Sequence, residues 1–129
     1  MRCLMALFVV PLLAGCMLVS GERTTIDLQD GVGNISTVFV GAEGQEVRLA
    51  PVTAGPAEVQ VIAILGVESG DLQIELLQPD GGVVFAVAAR PDVQVTRSGA
   101  VRTNEQGEVR YRITARSARN GNFQLLFQP

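Results

Sequence analysis

Gly70-Asp71-Leu72-Gln73-Ile74-Glu75-Leu76-Leu77-Gln78-Pro79-Asp80-Gly81-Gly82 is the stretch from which the fold is read. Leu72, Ile74 and Leu76 alternate with Asp71, Gln73 and Glu75, so one side is apolar and the other polar at a period of two. That period belongs to a strand, whose successive side chains point to opposite faces. Pro79-Asp80-Gly81 ends the run with residues that preset a turn: Pro fixes φ, Asp bonds its own backbone, and Gly accepts positive φ. The stretch predicts a half-buried strand leading into a tight turn and then an antiparallel neighbour.

The same pattern recurs outward from there. Val47 and Leu49 alternate with Glu46 and Arg48, Val109, Tyr111 and Ile113 with Arg110, Arg112 and Thr114, and Phe123, Leu125 and Phe127 with Asn122, Gln124 and Gln128. Each run is expected to bury its apolar side. Val61 to Leu65 is apolar on both faces, as a central strand would be, and Val83 to Ala88 is similar. Turn residues punctuate the chain at Asp30-Gly31, Gly41 to Gly44, Gly55-Pro56, Ser69-Gly70, Arg90-Pro91, Gln106-Gly107 and Asn120-Gly121. Short strands with turns every eight to twelve residues are the signature of an all-β sandwich or barrel. The expectation is one small antiparallel, jelly-roll-like β-sandwich of about eight strands.

Composition narrows function by subtraction. There is no His, which removes Ser-His and Cys-His nucleophile pairs and His-ligated zinc. There is no Trp, a single Tyr at Tyr111 and five Phe, a poor supply for a stacking platform. All ten basic residues are Arg, and the formal net charge is −3. No nucleic-acid partner is expected, because such partners call for a basic footprint. No cofactor is expected either.

The first sixteen residues read as a processing signal. Arg2 supplies a positive start, and Cys3 to Leu12 an apolar run too short and too broken by Pro11 to be a permanent span. Leu13-Ala14-Gly15-Cys16 resembles the bacterial lipobox at all four positions. The resemblance implies a lipid on Cys16, cleavage between Gly15 and Cys16, and residence of the domain outside the cytoplasm on the cell membrane or the outer membrane. Two or more acyl chains would hold the protein stably, each buried CH₂ contributing about 0.8 kcal/mol. Met17 in place of Asp favours the outer membrane where there are two. The expected organisation is then a signal peptide over 1–15, a lipidated N-terminus and short tether over 16–23, and the sandwich over 24–129. About six tether residues reach about 20 Å at most. Cys3 leaves with the signal, so the mature chain would hold no disulfide.

A second resemblance lies in the later half. The Gly70-Asp71 start, the alternating strand and Pro79-Asp80-Gly81, with Val109 to Ala115, Asn120-Gly121 and Phe123 to Phe127 closing the chain, are similar to bacterial pre-peptidase C-terminal domains. These are small sandwich modules that accompany secreted enzymes. The resemblance implies a fold, not an activity.

Three clusters merit a site test. Asp27 to Asn34 offers oxygens for calcium, but without the EF-hand spacing, so a Gly-rich turn is the simpler reading and no metal is expected. Arg110, Arg112 and Arg116 fall on one side of a strand, within residues 90–119, where seven Arg meet three acids. They form either a patch for anionic headgroups or an acidic partner, or else Arg110 and Arg112 make cross-strand pairs with Asp71 and Glu75. Asp71 and Glu75, at i and i+4 on a strand about 13 Å apart, are too far from each other for a glycosidase dyad. The function that fits is a lipid-anchored, non-enzymatic envelope module binding a protein or glycan, or assisting assembly. The alternatives are a His-independent hydrolase using carboxylates and a passive surface lipoprotein.

Overall fold

The computed structural model describes residues 17–29 and 31–129. Gly15 and Cys16, with the whole cleavage signal, lie outside the described residues, as does Asp30. The described residues form seven strands: β1 (Leu18–Ser20), β2 (Arg23–Gln29), β3 (Val32–Pro51), β4 (Glu58–Leu77), β5 (Val83–Ala89), β6 (Val95–Arg102) and β7 (Glu108–Gln128). All ladders between them are antiparallel, in one hydrogen-bonded sheet ordered β1-β3-β7-β4-β5, with β2 on β3 and β6 on β4.

Three strands of about twenty residues fill the middle and bend along one line. The register shifts between Ala42 and Gly44 in β3 and between Ser69 and Asp71 in β4. In β7, Ser117 and Asn120 take positive φ, at 48° and 47°. Pairing brings these places side by side, Ala42 opposite Ala118 and Ser69 opposite Arg119. The sheet therefore folds over on itself. One layer holds β2, 32–42, 118–128, 58–67 and β6; the other holds 44–51, 108–115, 71–77 and β5. Apart from the β1–β2 edge, that makes eight straight segments in two four-stranded layers, a jelly-roll sandwich.

The core lies between the layers. Val61, Ala63 and Leu65 from one half of β4 meet Leu72, Ile74 and Leu76 from the other, all at 1% exposure or less. Within β7, Tyr111 and Phe123 sit edge to face, their ring centroids 6.4 Å apart at 66°. Two halves of one strand thus face each other across the interior. Such an aromatic pair adds about 0.5–1.5 kcal/mol beyond its buried area. As expected, β4 is central; Val83 to Ala88, by contrast, falls in β5 at the edge of its layer.

Three expected turns are not reversals. Gly41 to Gly44, Ser69-Gly70 and Asn120-Gly121 are the bends of the long strands, so runs that looked like separate strands are continuous. A bulge also reverses which residues face inward. Ile35, Thr37 and Phe39 are buried before the β3 bulge, and Ala50 after it. Val47 and Leu49 consequently point outward at 48% exposure each, while Arg48 faces Tyr111. The expectation for that run is inverted. Pairing also starts earlier than Thr24. Leu18 opposes Glu43 and Ser20 opposes Gly41, and the same register resumes at Arg23 opposite Val38. β1 and β2 are one edge strand interrupted at Gly21, so part of segment 16–23 is sheet rather than tether.

The topology gives the sandwich two unlike ends. Met17, the bends and the β5–β6 link share one end. The four remaining turns share the other, where they are stitched together: Gly31 N donates to Val52 O (2.8 Å), Val52 N to Gly107 O (3.0 Å) and Ala57 N to the buried Thr103 Oγ1 (2.8 Å).

Candidate functional site: an arginine-flanked groove

The outer face of the second layer carries the charged residues singled out in the sequence. Register defines its rows. Asp71 of β4 lies opposite Arg116 of β7. On its other side the β4–β5 ladder ends with Leu72 opposite Ala89, and the next step along places Arg90 beside Asp71. The row thus reads Arg90, Asp71, Arg116. Below it lies Ala88, Gln73, Thr114, then Ala86, Glu75, Arg112, then Leu77, Arg110, Leu49.

Gly70 makes the first row possible. Its φ is +81°, and a Cβ there would strike the carbonyl of Ser117. Only glycine lets β4 bend so close over β7, which sets Asp71 against Arg116. The hairpin back to Arg90 is closed by Gln78 N donating to Gly82 O (2.8 Å) and Gly82 N donating to Asp80 Oδ1 (2.8 Å).

The first two rows border a depression of about 300 Å³ lined by Asp71, Gln73, Ala88, Arg90, Thr114 and Arg116. Among the described residues, neither Arg90 nor Arg116 makes an ion pair or a side-chain hydrogen bond, and both are exposed. The three arginines expected to form a patch therefore part company. Arg112 is committed to Glu75, Nη1 to Oε1 at 2.9 Å, one of the two cross-strand partners foreseen. Arg110 is half-buried between Leu77 and Leu49. Arg116 stands free beside Arg90, a residue the sequence pattern did not single out. Its signal was the hairpin: counting outward from Pro79-Asp80-Gly81 carries Arg90 back toward Asp71. Asp71 and Glu75 share the face with Gln73 between them, and Glu75 is occupied by Arg112, so the two carboxylates do not converge.

The Asp27 to Asn34 segment is a hairpin, with Asp27 opposite Asn34 and Gln29 opposite Val32. Among the described residues no three His, Cys, Asp or Glu side chains cluster as for a metal. A second depression, about 370 Å³, lies at the bend end between Ser20, Glu43, Ser117 and Arg119. There Glu43 Oε1 accepts the Ser117 N–H at 2.7 Å.

Inside the sandwich edge, Arg48 binds Glu46 (2.7 Å) and Glu22 (3.0 Å). Burial draws its guanidinium down, but the hydrogen bonds it donates to the two carboxylates outweigh this and hold it above its ordinary range. The Arg48 hydrogen bond holds Glu22 below the usual carboxylate value. Burial raises Tyr111 beside them, against the pull of Arg48.

No family model matches the chain, and no curated protein matches it in sequence. Solved structures do. Two matches are weak: a carbohydrate-binding module of the Cellvibrio mixtus lichenase 5A, solved with cellotriose (12% identity over 89% of this chain and 97% of that one, TM-score 0.41), and a xylan-binding domain from Paenibacillus barcinonensis (12% identity, 87% and 83%, TM-score 0.41). A structure of the disulfide-linked pili of Bacillus endospore appendages is similar at 11% identity, over 87% of this chain and 92% of that one, with a TM-score of 0.53. At that identity the shared feature is the β-sandwich fold.

Proposed function

We propose that the chain is a lipid-anchored, non-enzymatic binding module of a bacterial cell envelope, held through Cys16 and working through the Arg90–Asp71–Arg116 groove. The observation that carries the reading is the pair of exposed guanidinium groups with no ion-pair partner among the described residues. Charges of this kind in a depression attract ligands of opposite sign. The lipobox at 13–16 supports the anchor, and strand pairing from Leu18 keeps the fold two residues from the modified thiol. The module's place is outside the cytoplasm, on the outer membrane where two are present.

Replacing Cys16 by Ala tests the anchor. The wild-type chain is expected to incorporate a fatty-acid probe and sediment with membranes, and the variant to do neither. Unchanged labelling of Cys16→Ala would refute the anchor. Crosslinking from intact cells and a glycan array test the binding role, which fails if neither a partner nor a glycan is retained.

A further inference from the structure

The bend end carries the N-terminus, so under the proposed anchor it faces the bilayer. Arg23, Arg48, Arg90, Arg116 and Arg119 are at this end. So are Glu22, Glu43, Glu46, Glu68, Asp71 and Asp92. Five positive charges against six negative ones give no general attraction to anionic headgroups, which takes a surplus of Lys and Arg. Recognition must be local, and within the groove the balance has the opposite sign. Arg90 and Arg116 flank a single carboxylate, so the row has a net charge of +1 and attracts an anion.

The rest of the groove specifies more. Strands lie 4.7–4.9 Å apart, so the Arg90 and Arg116 backbones are about 9–10 Å apart across Asp71. Two guanidinium forks at that spacing can close on one carboxylate from both sides. Between and below them Asp71 accepts hydrogen bonds, while Gln73 and Thr114 both donate and accept. That mixture suits hydroxyl groups. The Ala88 methyl, with Ala86 below it, leaves a low apolar strip where a flat C–H face can rest.

We propose that the groove binds a uronic acid unit of a polysaccharide, its carboxylate clamped by Arg90 and Arg116 and its hydroxyls held by Asp71, Gln73 and Thr114. The proposal rests on the binding-module reading but not on the anchor. The test is calorimetric titration of the full chain, purified in detergent micelles, with a glucuronic or galacturonic acid trisaccharide and with the neutral trisaccharide of the same linkage. The uronate is expected to bind, and the neutral sugar to bind at least about tenfold more weakly. Arg90→Gln and Arg116→Gln are each expected to weaken uronate binding about tenfold or more, the value of a lost charge-assisted bond. Both positions are exposed, and an unchanged melting temperature verifies folding.

Equal affinity for the neutral sugar, unchanged affinity in both arginine variants, or no uronate binding up to about 10 mM would overturn the proposal. So would binding only to phosphatidylglycerol vesicles. Retention of a different glycan would sink the uronate while leaving the module reading intact. Failure of Cys16 labelling would remove the anchor and leave both the module reading and the uronate standing.

Discussion

Arg48 points into the sandwich from a strand that lies at its edge. An inward-facing charge is one way a sheet edge avoids pairing with another chain, because a new strand would have to cover it. Here the charge is kept by Glu22 and Glu46, with Tyr111 packed beneath. Two consequences follow from the shifts. Glu22 is held below its ordinary value near 4.5, so its stabilising effect is present above that pH and is lost as pH falls through the lowered value. Tyr111 is raised above the usual value near 10. The unfolded chain therefore ionises first, and stability falls as pH rises past about 10. The Glu22–Arg48 pair is substantially exposed, so screening limits its worth. Glu22→Gln should cost about 0.5–1 kcal/mol at pH 7 and flatten the acid limb of a melting-temperature profile. Tyr111→Phe should flatten the alkaline limb. Profiles unchanged in shape would show that neither group is linked to folding.

At the scale of the element, the bends matter most. Gly70 in β4 takes positive φ against the Ser117 carbonyl, whereas Gly55 in the β3–β4 loop has ordinary φ and open space where a Cβ would go. Gly70→Ala should therefore destabilise by about 1–3 kcal/mol, and Gly55→Ala should be neutral or slightly stabilising. Chemical denaturation of the two variants side by side tests the difference. The same bends explain what could be read beforehand. Alternation in 72–76, 109–113 and 123–127 gave the strands and their buried faces, because period two is a local property. The inversion at Val47 and Leu49 was not legible, since it depends on a bulge whose position is set by pairing with β7. Glycine and asparagine at 41–44, 69–70 and 120–121 signal positive φ equally well for a reversal and for a bend. Only the strand across the way decides which. In the groove, Arg116 could be named from its strand, but Arg90 joins it through a hairpin and a row, so the site was half visible.

The whole molecule is built from distant pairings. Gln45 lies opposite Thr114 and Glu58 opposite Arg102, and each layer needs strands from both halves of the chain. Loop closure over such separations must precede the contacts that stabilise it. Stopped-flow refolding is expected in the millisecond-to-second range of all-β sandwiches. Microsecond refolding would point to a more local nucleus than this topology contains. The strand path also separates the ends: the chain enters beside the bends and finishes in β7 near the stitched turns.

That separation bears on force. A protein fixed at its N-terminus and pulled from its far end is loaded along its strands. β1 and β2 run along the first part of β3, from Leu18 opposite Glu43 to Gln29 opposite Val32. Tension at the N-terminus would load that whole ladder in shear, straining its hydrogen bonds together instead of peeling them one at a time. Under the proposed anchor at Cys16, such a ladder would let the domain hold a ligand against drag.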